Sequence, residues 1–184
     1  MSRTRGRPGL GEGLALDDIL AAAFAQLDES GRQGLTMRGV ATRLGVTPMS
    51  LYHHVENRAA LLRSMAEQVY AQVLDDSDDT LPGRAQVRSL LMRYVEAVLR
   101  YPQLTLAIFT EPQAFDGLAQ QITERLTALL TTLTAQPLLW RDILVDHAHG
   151  CGVALALSAP LGDNTAALAA YGQALDRLLA QPLD

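Results

Sequence analysis

The sequence holds one cysteine, Cys151, no lysine at all, and aromatic residues at only 5% of its 184 positions. A single thiol excludes an intramolecular disulfide, so packing alone must hold the fold. With no lysine there is no Lys-bearing phosphate loop, and neither a Gly-x-Ser-x-Gly elbow nor a metal-protease motif occurs. The Glu-x-x-His pairs of an iron-carboxylate bundle are also absent. An enzyme is therefore not expected, and no motif asks for a cofactor. The longest apolar stretch, Gly150 to Leu161, is too short and too rich in Gly and Ala to span a membrane. Nothing near Met1 has the basic, then apolar, then small-residue layout of a signal peptide. The expectation is a cytoplasmic protein without membrane contact.

What is present points to helices. Apolar residues make up 48% of the chain and charged residues 19%, and the apolar share is mainly Ala and Leu rather than β-branched residues. The net charge of −5 conceals an asymmetry: residues 1–63 hold 8 Arg against 6 carboxylates, and residues 64–184 hold 7 against 14. A basic front and an acidic back suit a chain whose first third meets a polyanion. Residues 1–13 place Arg3, Arg5 and Arg7 among glycines and Pro8, a basic arm that cannot sustain a helix.

Helical spacing of Ile19, Leu20, Ala23, Phe24 and Leu27 predicts a first helix from about Asp17, stopped by Gly31. Thr36 caps a short second helix that Gly45 breaks, and Thr47-Pro48 opens a third running through Val55. Asn57 caps a fourth, over 57–74, ended by Asp75, Asp76, Asp78 and Asp79. Prolines and glycines divide the rest into helices near 84–101, 103–110, 114–134, 138–158 and 165–180. The expected organisation is all-α: a basic arm (1–13), a three-helix head with a helix-turn-helix (14–60), and a helical bundle (61–184), with helix 57–74 joining head and bundle.

Two short helices about a Gly turn, completed by a preceding helix, make the pattern of a helix-turn-helix. Its core would be Phe24, Leu27, Leu35, Val40, Ala41, Leu44, Val46, Leu51 and Val55, which leaves Met49, Ser50, Tyr52, His53 and His54 projecting outward. The run Leu35-Thr36-Met37-Arg38, Leu44-Gly45-Val46, Ser50-Leu51-Tyr52-His53-His54-Val55 and Asn57-Arg58 resembles the signature of the TetR family. The match covers roughly residues 17–65 and looks like the tetracycline-repressor branch. The resemblance implies a bacterial transcriptional repressor that binds double-stranded operator DNA as a homodimer and is released by a small-molecule effector.

Carried over position by position, Thr36 and Arg38 would contact phosphates. Thr47, Pro48, Met49 and Ser50 would approach base edges, and Tyr52, His53, His54 and Arg58 would hold the backbone. The resemblance also implies an effector pocket near Met92, Tyr94, Leu106, Phe109 and Trp140. It implies a dimer interface on the last two helices, where Ala148, Gly152 and Ala154 permit close approach and Leu168, Tyr171, Leu175 and Leu178 form a seam. A monomer core could use the same seam. The histidines with which tetracycline repressors hold a drug-bound magnesium have no counterparts at the end of the fourth helix or after Tyr101, so the resemblance does not extend to tetracycline. His147 and Cys151 share a helix face, but two ligands on one helix are too few for a metal, and none is expected. A module that keeps this fold for protein contacts instead of DNA is the competing reading.

Overall fold

The computed structural model describes residues 14–74, 80–158 and 165–183. The basic arm (1–13) and the Asp75–Asp79 run lie outside them. Among the described residues there are nine α-helices and no strand. The chain divides into two compact units between Asn57 and Arg58, three residues ahead of the boundary expected from sequence.

The first unit contains α1 (Leu16–Gly34), α2 (Met37–Leu44) and α3 (Pro48–Tyr52). Asp17 and Asp18 occupy the first turn of α1, and Asp18 accepts from the Ala15 amide at 3.4 Å. Carboxylates there complement the helix dipole. Gly31 does not end α1; it breaks its regular dihedrals at φ 65°, ψ −175°, and one further turn runs to Gly34. Thr36 caps α2 by accepting from the Gly39 amide at 3.0 Å, and Gly45 closes it at φ 68°, its amide bonded to the Ala41 and Thr42 carbonyls. That left-handed conformation is a glycine position. Thr47 caps α3 and Pro48 occupies its first position. The third helix is shorter than expected. The amides of His54 and Val55 both return to the Leu51 carbonyl at 2.9 Å, which turns the chain before Val55. Leu27, Leu35, Val40, Ala41, Leu51 and Val55 are buried as expected, whereas Phe24, Leu44 and Val46 are half-buried at the margin.

The second unit holds α4 (Arg58–Tyr70), α5 (Gly83–Arg100), α6 (Pro102–Phe109), α7 (Leu118–Thr131), α8 (Pro137–Ser158) and α9 (Thr165–Ala180). The fourth helix tightens to a 3-10 turn over Ala71–Leu74. Helix α7 begins at Leu118 rather than near Ala114. Pro112–Ala114 forms its own 3-10 turn, and Gly117 at φ 92° redirects the chain. Helix α5 is the axis of the unit: Val87, Leu91, Val95 and Val98 are buried, and α7, α8 and α9 pack around it. Each such side chain contributes about 1.5–3 kcal/mol over its exposed state.

The small residues of α8 require a correction. Ala148 and Gly152, read as an interface between chains, are buried within one chain. A Cβ at Gly152 would lie 2.6 Å from Val98 Cγ1, so this glycine exists to admit α5. Tyr171 and Leu175 of α9 are likewise buried in the unit, with Leu168 and Leu178 half-buried. Of the seven residues of that seam only Ala154 is exposed. Small residues permit close helix approach whether the neighbour is the same chain or another, and periodicity alone does not distinguish them.

Candidate functional site

The outer surface of the first unit is built on Leu51. That side chain is fully buried and anchors α3, which fixes what its neighbours can do. Met49 is 67% exposed and Tyr52 47%; Pro48, His53 and His54 are exposed as well. Thr47 is exposed, its hydroxyl 3.0 Å from that of Ser50 and accepting from the Ser50 amide at 3.3 Å. Thr36 and Thr47 thus serve first as caps, which orient their hydroxyls at the two helix starts.

Arg38 is exposed and makes no ion pair among the described residues. Arg43, by contrast, is paired with Glu29, tying α2 to α1. The structure therefore brings together Thr36, Arg38, Thr47, Pro48, Met49, Ser50, Tyr52, His53 and His54 on one unit. Arg58 is placed differently. It is the first residue of α4, and its guanidinium lies 3.2 Å from Glu111, just past α6, so part of its hydrogen-bonding capacity is committed inside the second unit.

The second unit contains a recess of about 300 Å³ of empty space, mouth included, lined by Tyr70, Tyr94, Thr105, Ile108, Phe109, Phe115, Ala119 and His149. The Tyr94 hydroxyl and His149 Nε2 share a hydrogen bond, and the two rings meet edge-on with centroids 5.4 Å apart. Phe109 meets the other part of the imidazole at 4.6 Å and 76°. Tyr70 lies 5.6 Å from Tyr94, and its hydroxyl is 3.1 Å from that of Thr105, which in turn donates to the Tyr101 carbonyl at 3.4 Å. Burial holds the His149 imidazole neutral, lowering its pKa from 6.5 to about 4, against a smaller opposing influence of Asp146. Burial also pushes the Tyr70 phenol up to about 12 and that of Tyr94 well above its ordinary value.

Tyr94 and Phe109 were expected in the pocket; Met92, Leu106 and Trp140 are not among its lining residues. Trp140 instead donates its indole N–H to the Leu183 carbonyl at 2.9 Å, and Met92 lies close to Gly172 of α9. Sequence reasoning missed Tyr70, Thr105, Ile108, Phe115, Ala119 and His149. Two of these left a signal: Thr105 is the single hydroxyl in the apolar run Leu104–Phe109, and His149 directly precedes the apolar stretch that begins at Gly150.

On the neighbouring face of α8, His147 stacks on Tyr171 with centroids 5.3 Å apart, and Cys151 Sγ lies 3.6 Å from His147 Nδ1. Burial raises the thiol pKa, so Cys151 is a protonated thiol near neutral pH. Among the described residues no group of three or more His, Cys, Asp or Glu is placed to hold a metal ion. No described helix is long and apolar enough to cross a membrane.

Residues 19–65 match the family model described as "Bacterial regulatory proteins, tetR family". The chain is 34% identical over 90 residues to tetracycline repressor protein class D of Escherichia coli, covering 46% of this chain and 40% of that protein. It is 32% identical over 115 residues to the HTH-type transcriptional repressor DrrR1 of Streptomyces coeruleorubidus, covering 60% and 43%. The matches thus span about two fifths of the length of these curated relatives. Among solved structures, BioQ with its natural double-stranded DNA operator superposes with a TM-score of 0.71 at 26% identity, over 91% of this chain and 99% of that one.

Proposed function

From the premise that this chain belongs to the tetR family of bacterial regulatory proteins through its residues 19–65, we propose that it is a ligand-responsive transcriptional repressor. It binds a near-palindromic operator as a homodimer and is released when a small molecule occupies its second unit. The observation that carries the reading is the outer face of α3. Met49, Tyr52, His53 and His54 stand exposed around the buried Leu51 anchor, with capped helix starts at Thr36 and Thr47 beside them. An apolar side chain suits a thymine methyl, while phenol, imidazole and Arg38 groups suit phosphates and base edges. The BioQ neighbour, solved with its double-stranded DNA operator, supports the DNA-binding reading.

A two-fold dimer must offer its reading helices to half-sites one turn apart, roughly 34 Å. With Ala148, Gly152, Tyr171 and Leu175 enclosed in one chain, the dimer surface moves to the outward stripes of the same two helices. These are Leu139, Ile143, Gly150 and Ala154 on α8, with Ala166, Ala169 and Ala170 on α9, all exposed. Leu139 is among the most exposed large apolar side chains. The recess of the second unit is the effector site. Its Phe109 closes α6, two residues before Glu111, which holds Arg58 at the start of α4. An effector releases DNA only if it binds the released state more tightly than the DNA-competent one.

The test is selection of binding sites from a random duplex pool, followed by affinity for the enriched duplex at several salt concentrations. An enriched palindrome, with log affinity falling linearly in log salt, is expected. No enrichment sinks the repressor reading and favours a module for protein contacts.

A further inference from the structure

We infer that the recess walled by Tyr94, Phe109, Phe115 and His149 takes an uncharged, planar aromatic molecule bearing one hydroxyl group, with the rings held among the aromatic side chains and the hydroxyl on the Tyr94–His149 pair. This rests on the reading of the recess as the effector site and names the chemical class of its ligand.

Charge is decided by what lines the wall. No Asp, Glu or Arg is among the lining residues, so an ion entering would shed water without gaining a partner. His149 is the one lining group able to become cationic, and burial keeps it neutral at physiological pH. A carboxylate or phosphate ester therefore finds no countercharge.

Shape follows from the rings. Tyr94 and Phe109 meet His149 edge-on, and Tyr70 stands beside Tyr94. Aromatic side chains prefer offset or edge contacts with further rings, which a planar arene supplies and a flexible chain does not. Phe109 is 52% exposed and Phe115 43%, two large apolar rings left in water at the mouth that such a ligand would cover. Only about 30 Å³ of the recess is open to the centre of a water-sized sphere, far below the roughly 300–1,000 Å³ of a formed small-molecule site, so a ring system is seated only as the exposed Phe109 and Phe115 rings move aside.

The polar match is set by hydrogen-bond accounting. Tyr70 and Thr105 satisfy each other, and Thr105 passes its proton to the Tyr101 carbonyl. The Tyr94 hydroxyl and His149 Nε2 share one hydrogen bond; with the imidazole proton on Nδ1 the phenol is the donor, and its oxygen keeps an acceptor lone pair. One donor from the ligand completes that chain. A hydroxyl provides it, and a methyl ether of the same shape does not.

The experiment titrates the full chain at pH 7.5 with 2-naphthol, 2-methoxynaphthalene and 2-naphthoate by calorimetry, using wild type, Tyr94→Phe, His149→Phe and Ala119→Trp. Wild type is expected to bind 2-naphthol about tenfold more tightly than the ether, the scale of one buried hydrogen bond, and 2-naphthoate least. In Tyr94→Phe the preference for the hydroxyl should vanish while the ether still binds, and in His149→Phe it should narrow, because the freed Tyr94 proton can reach the ether oxygen. Ala119→Trp fills the recess and should abolish binding of all three with helical circular dichroism unchanged. Equal or tighter binding of 2-naphthoate, survival of the hydroxyl preference in Tyr94→Phe, or no saturable binding by wild type each overturns the proposal. Repeating the titration on protein loaded with the selected duplex separates the two readings. If 2-naphthol binds with the expected preference and the duplex stays bound, the ligand class stands and effector release fails.

Discussion

His149 carries no charge because the second unit encloses it, and this has a consequence for stability. An imidazole with a folded pKa of about 4 and a free value of 6.5 binds a proton in the unfolded chain before it does so in the folded one. Stability should therefore be level above pH 6.5, fall as pH drops from 6.5 toward 4, and level again below. The loss is on the order of 3 kcal/mol. Urea unfolding across that window should show this slope in wild type and lose most of it in His149→Phe; equal slopes would mean that the imidazole is hydrated in the native state. Thr105 is the buried hydroxyl that accepts from Tyr70. Thr105→Val should leave the Tyr70 phenol without its partner and lower stability by about 1–3 kcal/mol, read as a reduced urea midpoint at constant slope. At this scale the sequence was only partly informative. Tyr94 and Phe109 could be placed near the pocket through the family resemblance, but the same resemblance put Trp140 there, and its indole bonds to Leu183 instead. Which ring faces which cavity depends on helix rotation, and helical periodicity resolves a broad face rather than a direction.

At the scale of elements the chain was most readable where chemistry is local. Thr36, Gly45 and Thr47-Pro48 marked their boundaries because capping hydroxyls, a left-handed glycine and an N-terminal proline act over three or four residues. The ends of α3 and the start of α7 were misjudged, since the Leu51 carbonyl accepts two amides and Gly117 turns the chain after an unexpected 3-10 turn. Gly45 gives a clean test. A Cβ there would meet nothing within 4 Å, so only the backbone resists substitution. Gly45→Val should destabilise by about 1–2 kcal/mol and Gly45→Asn by clearly less, measured by thermal unfolding. If both cost the same, the turn adopts another conformation in solution. On α3, the pair Tyr52→Ala with His53→Ala should abolish binding to the selected duplex and leave helical content intact, because both side chains are exposed. Unchanged affinity would remove them from the contact surface.

For the whole molecule the decisive comparison lies along α8. Gly152 faces Val98 inside the chain, whereas Ala154 faces outward. Gly152→Leu should disrupt the second unit, lowering stability by at least about 1–3 kcal/mol whatever the oligomeric state. Ala154→Arg should leave each chain folded and shift the population to monomers that bind the duplex weakly, seen by sedimentation. A dimer of normal mass would place the interface elsewhere. The sequence could name these two helices but not their outward faces, because alanine and glycine serve either role. The same helix offers one optical consequence. Trp140, the single indole, is pinned to Leu183 and lies nine residues, roughly 13 Å of helix, from His149. Its fluorescence is therefore blind to direct ligand contact in the recess. With a ligand that does not absorb at the indole's emission, a change in emission on binding reports strain carried along α8, which makes the native chain its own unlabelled sensor of whether occupancy is felt at a distance.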